Sequence, residues 1–123
     1  MGMMEIPIAP SEHPVIRRWF EGEHLDLIIW ETLAGDIMRW RLVTRELNDE
    51  VEGFYWTPKE GLKHGHLPAA HNESDWAALK WVSEYRRPSK EFLRAWQQEG
   101  VSLPSLVYTF IQKLFIENRI IAN

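Results

Sequence analysis

The chain contains no cysteine among its 123 residues. This absence excludes disulfide scaffolds, cysteine-ligated zinc, iron–sulfur clusters and thiol nucleophiles. It is consistent with a reducing compartment, and we predict a cytoplasmic location. The sequence also lacks a nucleophile elbow, a phosphate-binding loop of the Walker type and a dinucleotide-binding fingerprint. We therefore expect a non-catalytic protein and predict no cofactor.

Long apolar runs and a positive charge excess are also missing. No apolar run approaches the about 20 residues that a membrane-spanning helix needs, and the N-terminus lacks the basic and apolar segments of a signal peptide. The formal net charge is −4, so the chain has no strong positive field to attract a phosphate backbone. These features predict no membrane association and disfavour nucleic acid as a partner.

The first half of the chain alternates between apolar and polar side chains, which is the pattern of a β-strand with one buried face. The alternation covers residues 24–32, resumes over 37–44 and recurs, rich in aromatic residues, over 51–57. Residues 62–67 are compatible with a fourth short strand or a loop, and residues 15–20 with a short helix or an edge strand. Short connections between these strands favour an antiparallel meander.

The second half changes to the helical period. Three helices are predicted, over residues 73–87, from Ser89 to about Glu99, and over about 103–121. Ser89 is a good N-cap for the second helix. Gly100 is typical of a residue that ends a helix in the left-handed conformation.

Strands followed by helices predict the α+β fold class. We expect an N-terminal three- to four-stranded antiparallel meander followed by three C-terminal helices packed on one face. Prolines near the N-terminus predict an extended N-terminal arm over residues 1–14. The remaining residues, 15–123, are too few for two independent cores and predict a single α+β domain.

Seven tryptophans are unusually many for a chain of this length. They are expected to build a small core from large residues; the alternative is that some of them form an exposed aromatic patch for a partner or ligand, because Trp is enriched at binding hot spots. The last helix also has a broad apolar arc of roughly 200°. It is therefore either sandwiched inside the protein or in contact with another chain, as in a homodimer. The predicted partner-binding residues are Trp30, Trp40, Trp56, Arg39, Arg41, Tyr108 and Phe115.

A histidine-rich segment is the candidate metal site. His64 and His66 are two residues apart, so a strand would place both imidazoles on one face, and His71 is close enough to supply a third nitrogen ligand. The predicted metal ligands are thus His64, His66 and His71. The alternative is a polar loop whose histidines face solvent.

Taken together, these patterns predict a small intracellular, non-catalytic protein-interaction module, which could act as a regulator, an inhibitor or an accessory subunit. A protein partner or a second copy of the chain is expected. The first alternative is a metal-binding protein or small metal-dependent enzyme that uses the His-x-His segment. The second is a nucleic-acid-associated module. Its basic residues would be Lys80, Arg86, Arg87, Lys90 and Arg94.

Overall fold

A computed structural model describes residues 2–6, 15–44, 50–68 and 88–121 of the chain, with side chains at all of these except 50–51 and 66–68. The strands form one sheet in the order β1-β2-β3-β4-β5-β6, and every neighbouring pair is antiparallel. The six strands are β1 (Met4–Ile6), β2 (Val15–Glu21), β3 (Leu25–Thr32), β4 (Ile37–Thr44), β5 (Glu50–Thr57) and β6 (Gly61–Pro68).

Helices follow the strands along the chain. Helix α1 spans Lys90–Glu99, a 3-10 turn spans Gly100–Ser102, and helix α2 spans Ser105–Glu117. The α+β class is therefore confirmed. None of the described helices is long and apolar enough to cross a membrane.

The predicted number of elements was wrong. The sheet has six strands, rather than three or four, and the described ranges contain two α-helices, rather than three. The helix predicted over residues 73–87 lies outside the described residues. The sequence pattern missed β1 because a strand of three residues is too short to show alternation.

Strand β2 was ambiguous because two adjacent arginines interrupt its apolar pattern. Arg18 lies on the face of the sheet that carries the core, where alternation alone predicts an apolar residue. Its guanidinium is held there by two carboxylates, Glu5 at 2.9 Å and Glu31 at 3.1 Å. These ion pairs let a charged residue occupy an inward position, since a partly buried charge needs partners.

The alternation that predicted the central strands reflects the two faces of the sheet. In β3, Leu25, Leu27 and Ile29 are fully buried, whereas the residues between them are half-buried. The same buried face continues through Trp40 of β4 and Phe54 of β5. We call this the inner face and the opposite one the outer face.

Both helices pack on the inner face. In α2 the buried residues are Val107, Ile111 and Phe115, which follow one another at intervals of four and form a single stripe. Phe115 lies edge-on to Trp40, with ring centroids 5.9 Å apart, and edge-on to Trp96 of α1 at 5.3 Å. Each such aromatic burial contributes about 1.5–3 kcal/mol to stability. The core thus lies between the inner face and the two helices.

Gly100 follows α1, but it is right-handed, with φ −61° and ψ −31°, and not left-handed as its residue type suggested. Its missing side chain serves a steric purpose. A Cβ atom at this position would lie 2.8 Å from ring atoms of Trp96. The glycine therefore lets the buried indole pack directly against the backbone.

Candidate functional site

Two buried carboxylates hold helix α1 to the sheet, one at each end of the helix. Glu52 of β5 lies at the N-terminal end, and Glu99 is the last residue of the helix. Each carboxylate pairs with a histidine at 2.8 Å, Glu52 with His64 and Glu99 with His24. A buried carboxylate is costly unless donors surround it, so the partners of each one determine what it does.

The Glu52 cluster is enclosed. His64 of β6 stacks on Phe54, with ring centroids 4.5 Å apart, and its Nε2 donates to Glu52. The backbone N–H and the Oγ–H of Ser89 also donate to Glu52. Ser89 Oγ in turn accepts the N–H of Phe92 at 3.1 Å, which is the N-cap bond expected from the sequence. This cluster therefore fixes the start of α1 on the sheet.

The Glu99 cluster is open on one side. The Glu99 side chain is 2% exposed, but the His24 side chain that it binds is 42% exposed. Glu99 accepts the backbone N–H groups of His24 at 3.0 Å and Leu25 at 3.3 Å, and Nδ1 of His24 at 2.8 Å. Because a carboxylate only accepts, Nδ1 carries the hydrogen, and this fixes the ring orientation.

The turn between β2 and β3 is shaped to admit this carboxylate. Gly22 donates its N–H to the carbonyl of Leu25 at 2.7 Å and closes the turn. A Cβ atom on Gly22 would lie 2.0 Å from Oε1 of Glu99 and 3.1 Å from Met3. Only glycine leaves room here, so Gly22 belongs to the machinery that positions His24.

His24 borders a groove of about 310 Å³ that runs along α1. This volume is at the lower end for small-molecule sites, which measure about 300–1,000 Å³. The helix contributes two cations, Lys90 and Arg94, to its wall. Among the described residues, those that line the groove are His24, Lys90, Glu91, Arg94, Ala95 and Gln98.

A second surface lies at the tip of the β3–β4 hairpin, on the outer face. The guanidinium of Arg39 covers the Trp30 ring at 4.2 Å from its centroid. Pairing shifts from Trp30–Arg39 to Glu31–Ile37, so Met38 is an extra, bulged residue. Met38 is 43% exposed and Leu33, in the turn, is 75% exposed. We call Trp30, Leu33, Met38 and Arg39 the hairpin-tip patch.

The predicted partner-binding residues do not form one surface. Trp30 and Arg39 belong to the hairpin-tip patch, and Arg41 is half-buried on the same outer face. Trp40 and Phe115 are fully buried in the core instead. Trp56 is half-buried against Phe110, and Tyr108 stacks on Trp96 with ring centroids 5.4 Å apart.

The predicted metal ligands are only partly covered by the described structure. The Nε2 atom of His64 is bonded to Glu52. His66 lies two positions further along β6, opposite Glu52 in the strand register, and His71 lies outside the described residues. Among the residues that the structure describes, no three His, Asp or Glu side chains are grouped to hold a metal ion.

The basic residues considered for nucleic acid divide in a similar way. Lys90 and Arg94 line the groove along α1. Lys80, Arg86 and Arg87 lie outside the described residues.

Sequence reasoning missed both carboxylates, although each one leaves a signal. Glu99 follows Phe92 and Trp96 at helical spacing, so it falls on the apolar stripe of its helix. Glu52 precedes Phe54 by two residues and therefore shares the inner face with it. A carboxylate at a core position indicates a buried polar partner.

Comparisons with protein-family models, curated proteins and solved structures show no significant match to this chain.

Proposed function

We propose that the protein is a non-catalytic interaction module whose hairpin-tip patch binds an acidic, aliphatic segment of a partner protein. The observation that carries this proposal is the stack of the exposed Arg39 on the half-buried Trp30, in the same hairpin tip as two exposed apolar side chains, Leu33 and Met38. Exposed apolar side chains that cluster with Trp and Arg are typical of interaction sites, whereas scattered ones are ordinary.

The charge of Arg39 points to the chemistry of the partner. No described residue forms an ion pair with Arg39. Stacking on Trp30 fixes the plane of the guanidinium and leaves its N–H edges for a carboxylate, which the planar fork can bind through two hydrogen bonds. The nearby carboxylate of Glu31 is already engaged by Arg18 at 3.1 Å. An acidic side chain of the partner would complement this site.

The apolar part of the patch supplies the second element of recognition. Leu33 and Met38 flank the stack along the same hairpin, and methionine adapts its shape to different apolar surfaces. A partner segment with an aliphatic residue near an acidic one would bury these side chains and pair with Arg39. Burial of an aliphatic side chain contributes about 1.5–3 kcal/mol.

The test is a selection from a random peptide library displayed on phage, followed by affinity measurements on the consensus peptide. We expect an acidic-aliphatic consensus. Hot-spot truncation costs about 2 kcal/mol, which is about 30-fold in affinity, so Arg39→Ala and Trp30→Ala should each weaken binding by about that factor. The matched control is Lys59→Ala, which removes one exposed charge in the β5–β6 turn and should leave affinity unchanged.

Several outcomes would overturn the proposal. One is a consensus without acidic residues, and another is equal binding by Arg39→Ala and Lys59→Ala. Tighter binding of single-stranded oligonucleotides, weakening steeply with salt, would instead favour a nucleic-acid module. A dimer in native mass spectrometry that Met38→Asp dissociates would identify a second copy of the chain as the occupant.

A further inference from the structure

The groove along α1 combines an oriented imidazole with two cations from one face of a helix. A histidine–glutamate pair lies at each end of α1. The His64–Glu52 pair is buried, whereas the His24 ring of the other pair is exposed. The enclosed pair fastens α1. The open pair also presents a ring to the groove, and fastening alone does not require that exposure.

The end of the groove next to the His24 ring is suited to a hydroxyl group. Since Nδ1–H donates to Glu99, Nε2 is the ring atom left for a ligand hydroxyl group, which can hydrogen-bond to it as donor or as acceptor. Gln98, which precedes Glu99 in the helix, also lines the groove, and a glutamine amide can both donate and accept. A ligand hydroxyl could therefore hydrogen-bond to Nε2 and be held in place by Gln98.

The opposite end is suited to a phosphoryl group. Lys90 and Arg94 are four residues apart on one helix face, and neither forms an ion pair with a described residue. Lys90 also occupies the first turn of α1, where the partial positive charge of the helix disfavours a cation. An anion between these side chains would offset the repulsion between the two cations and the unfavourable position of Lys90 at the helix N-terminus. Arginine and lysine are also the usual phosphate-binding side chains.

The length of the groove indicates a ligand that reaches from one end to the other. From Lys90 to Gln98 the helix rises about 12 Å, which exceeds the size of a phosphate ion. Glu91 lines the groove beside Lys90, and its carboxylate can accept a hydrogen bond from a ligand hydroxyl group near the phosphoryl group. We propose that this groove binds a small hydroxyl-bearing phosphomonoester, such as a sugar phosphate, with its phosphoryl group on Lys90 and Arg94 and its hydroxyl groups at His24 and Gln98.

The test is a titration of the ¹⁵N-labelled protein followed by NMR, with glucose 6-phosphate, glucose and inorganic phosphate as probes. We expect glucose 6-phosphate to cause saturable chemical-shift changes at His24, Arg94 and Gln98. Its affinity should be at least about tenfold higher than that of inorganic phosphate. Arg94→Gln should weaken binding of the ester by about tenfold or more. Lys113→Gln, which removes an exposed cation of α2, is the control and should have no effect.

His24→Gln separates the two halves of the site. It should reduce the preference for the ester over inorganic phosphate and leave the binding of phosphate itself unchanged. The proposal is overturned if the shifts are absent or lie elsewhere, if inorganic phosphate binds as tightly as the ester, or if Arg94→Gln behaves like Lys113→Gln. These outcomes are independent of the hairpin-tip patch, so this inference and the proposed function can fail separately.

Discussion

At the scale of single residues, Gly22 shows how strongly one carboxylate constrains its surroundings. The Glu99 carboxylate receives hydrogen bonds from the His24 ring and two backbone N–H groups, so it cannot move away from a new methyl group without losing them. We expect Gly22→Ala to lower the free energy of unfolding by roughly 2–3 kcal/mol. Urea denaturation measures this loss. Glu23→Ala, an exposed neighbour in the same turn, should change stability by less than about 0.5 kcal/mol, and an equal effect of the two changes would contradict the steric explanation.

Glu5 gives the N-terminal strand a dependence on pH. The hydrogen bond from Arg18 holds the pKa of Glu5 below its ordinary value of 4.5. The stabilisation is therefore complete above pH 4.5 and disappears as the pH falls through the lowered pKa. Because Glu5 is 46% exposed, the ion pair is worth only about 0.5 kcal/mol.

Glu5→Gln isolates this contribution. The difference in stability between the native chain and the variant should be present at pH 6 and should shrink as the pH falls below 4.5, as measured by urea denaturation at a series of pH values. A difference that stays constant over this range would show that charge on Glu5 plays no part. Hydrogen exchange at the backbone N–H groups of β1 provides a second readout.

At the scale of elements, the start of α1 depends on Ser89 more than an ordinary helix depends on its cap. The hydroxyl group accepts from Phe92 N–H and donates to the buried Glu52 carboxylate. Loss of a cap costs about 1 kcal/mol, and loss of a donor to a buried charge adds about 1–2 kcal/mol. Ser89→Ala should therefore destabilise the protein by about 2–3 kcal/mol in urea denaturation.

The other helix supplies the control for this prediction. Helix α2 begins without a side-chain cap, and Ser105 at its first position is exposed. Ser105→Ala should consequently be close to neutral. If the two serine variants lost the same stability, the contact between Ser89 and Glu52 would contribute nothing measurable.

The elements show which parts of this fold a sequence can reveal. Strand β3 was predictable because Leu25, Leu27 and Ile29 alternate with half-buried residues, and the start of α1 because Ser89 is a good cap. Strand β2 was ambiguous because Arg18 occupies an inward position, where its partners Glu5 and Glu31 come from neighbouring strands. Local patterns do not contain such partners.

The candidate site was less accessible to sequence reasoning than the fold. Glu99 and His24 are 75 residues apart, and Glu52 and Ser89 are 37 apart. No spacing rule joins residues across such separations, since folding brings them together. The sequence predicted Trp30 and Arg39 as binding residues from their residue types, but it did not predict that they stack. Its geometry depends on the register between β3 and β4 and on the bulge at Met38.

At the scale of the whole molecule, the sheet and the helices are joined by polar contacts as well as by the core. The two glutamate clusters fasten α1 at both ends, and Met3 N–H donates to Ser102 Oγ beyond the helix at 3.2 Å. The apolar contacts are non-directional, whereas these hydrogen bonds require one position of the helix. They therefore set the register of α1 on the sheet and, with it, the shape of the groove.

The two glutamate clusters should contribute independently to stability. Glu99→Gln keeps the size of the side chain and removes the charge that binds His24, and the two clusters are about 15 Å apart along the helix. The apolar stripe of Phe92 and Trp96 keeps α1 in place when either cluster is weakened. The losses from Ser89→Ala and Glu99→Gln should therefore add to within about 0.5 kcal/mol in the double variant, as expected for distant sites. Urea denaturation of all four proteins measures this sum. If the double variant lost much less stability than the sum of the two single losses, the first change would already release the helix. The two clusters would then be one cooperative unit.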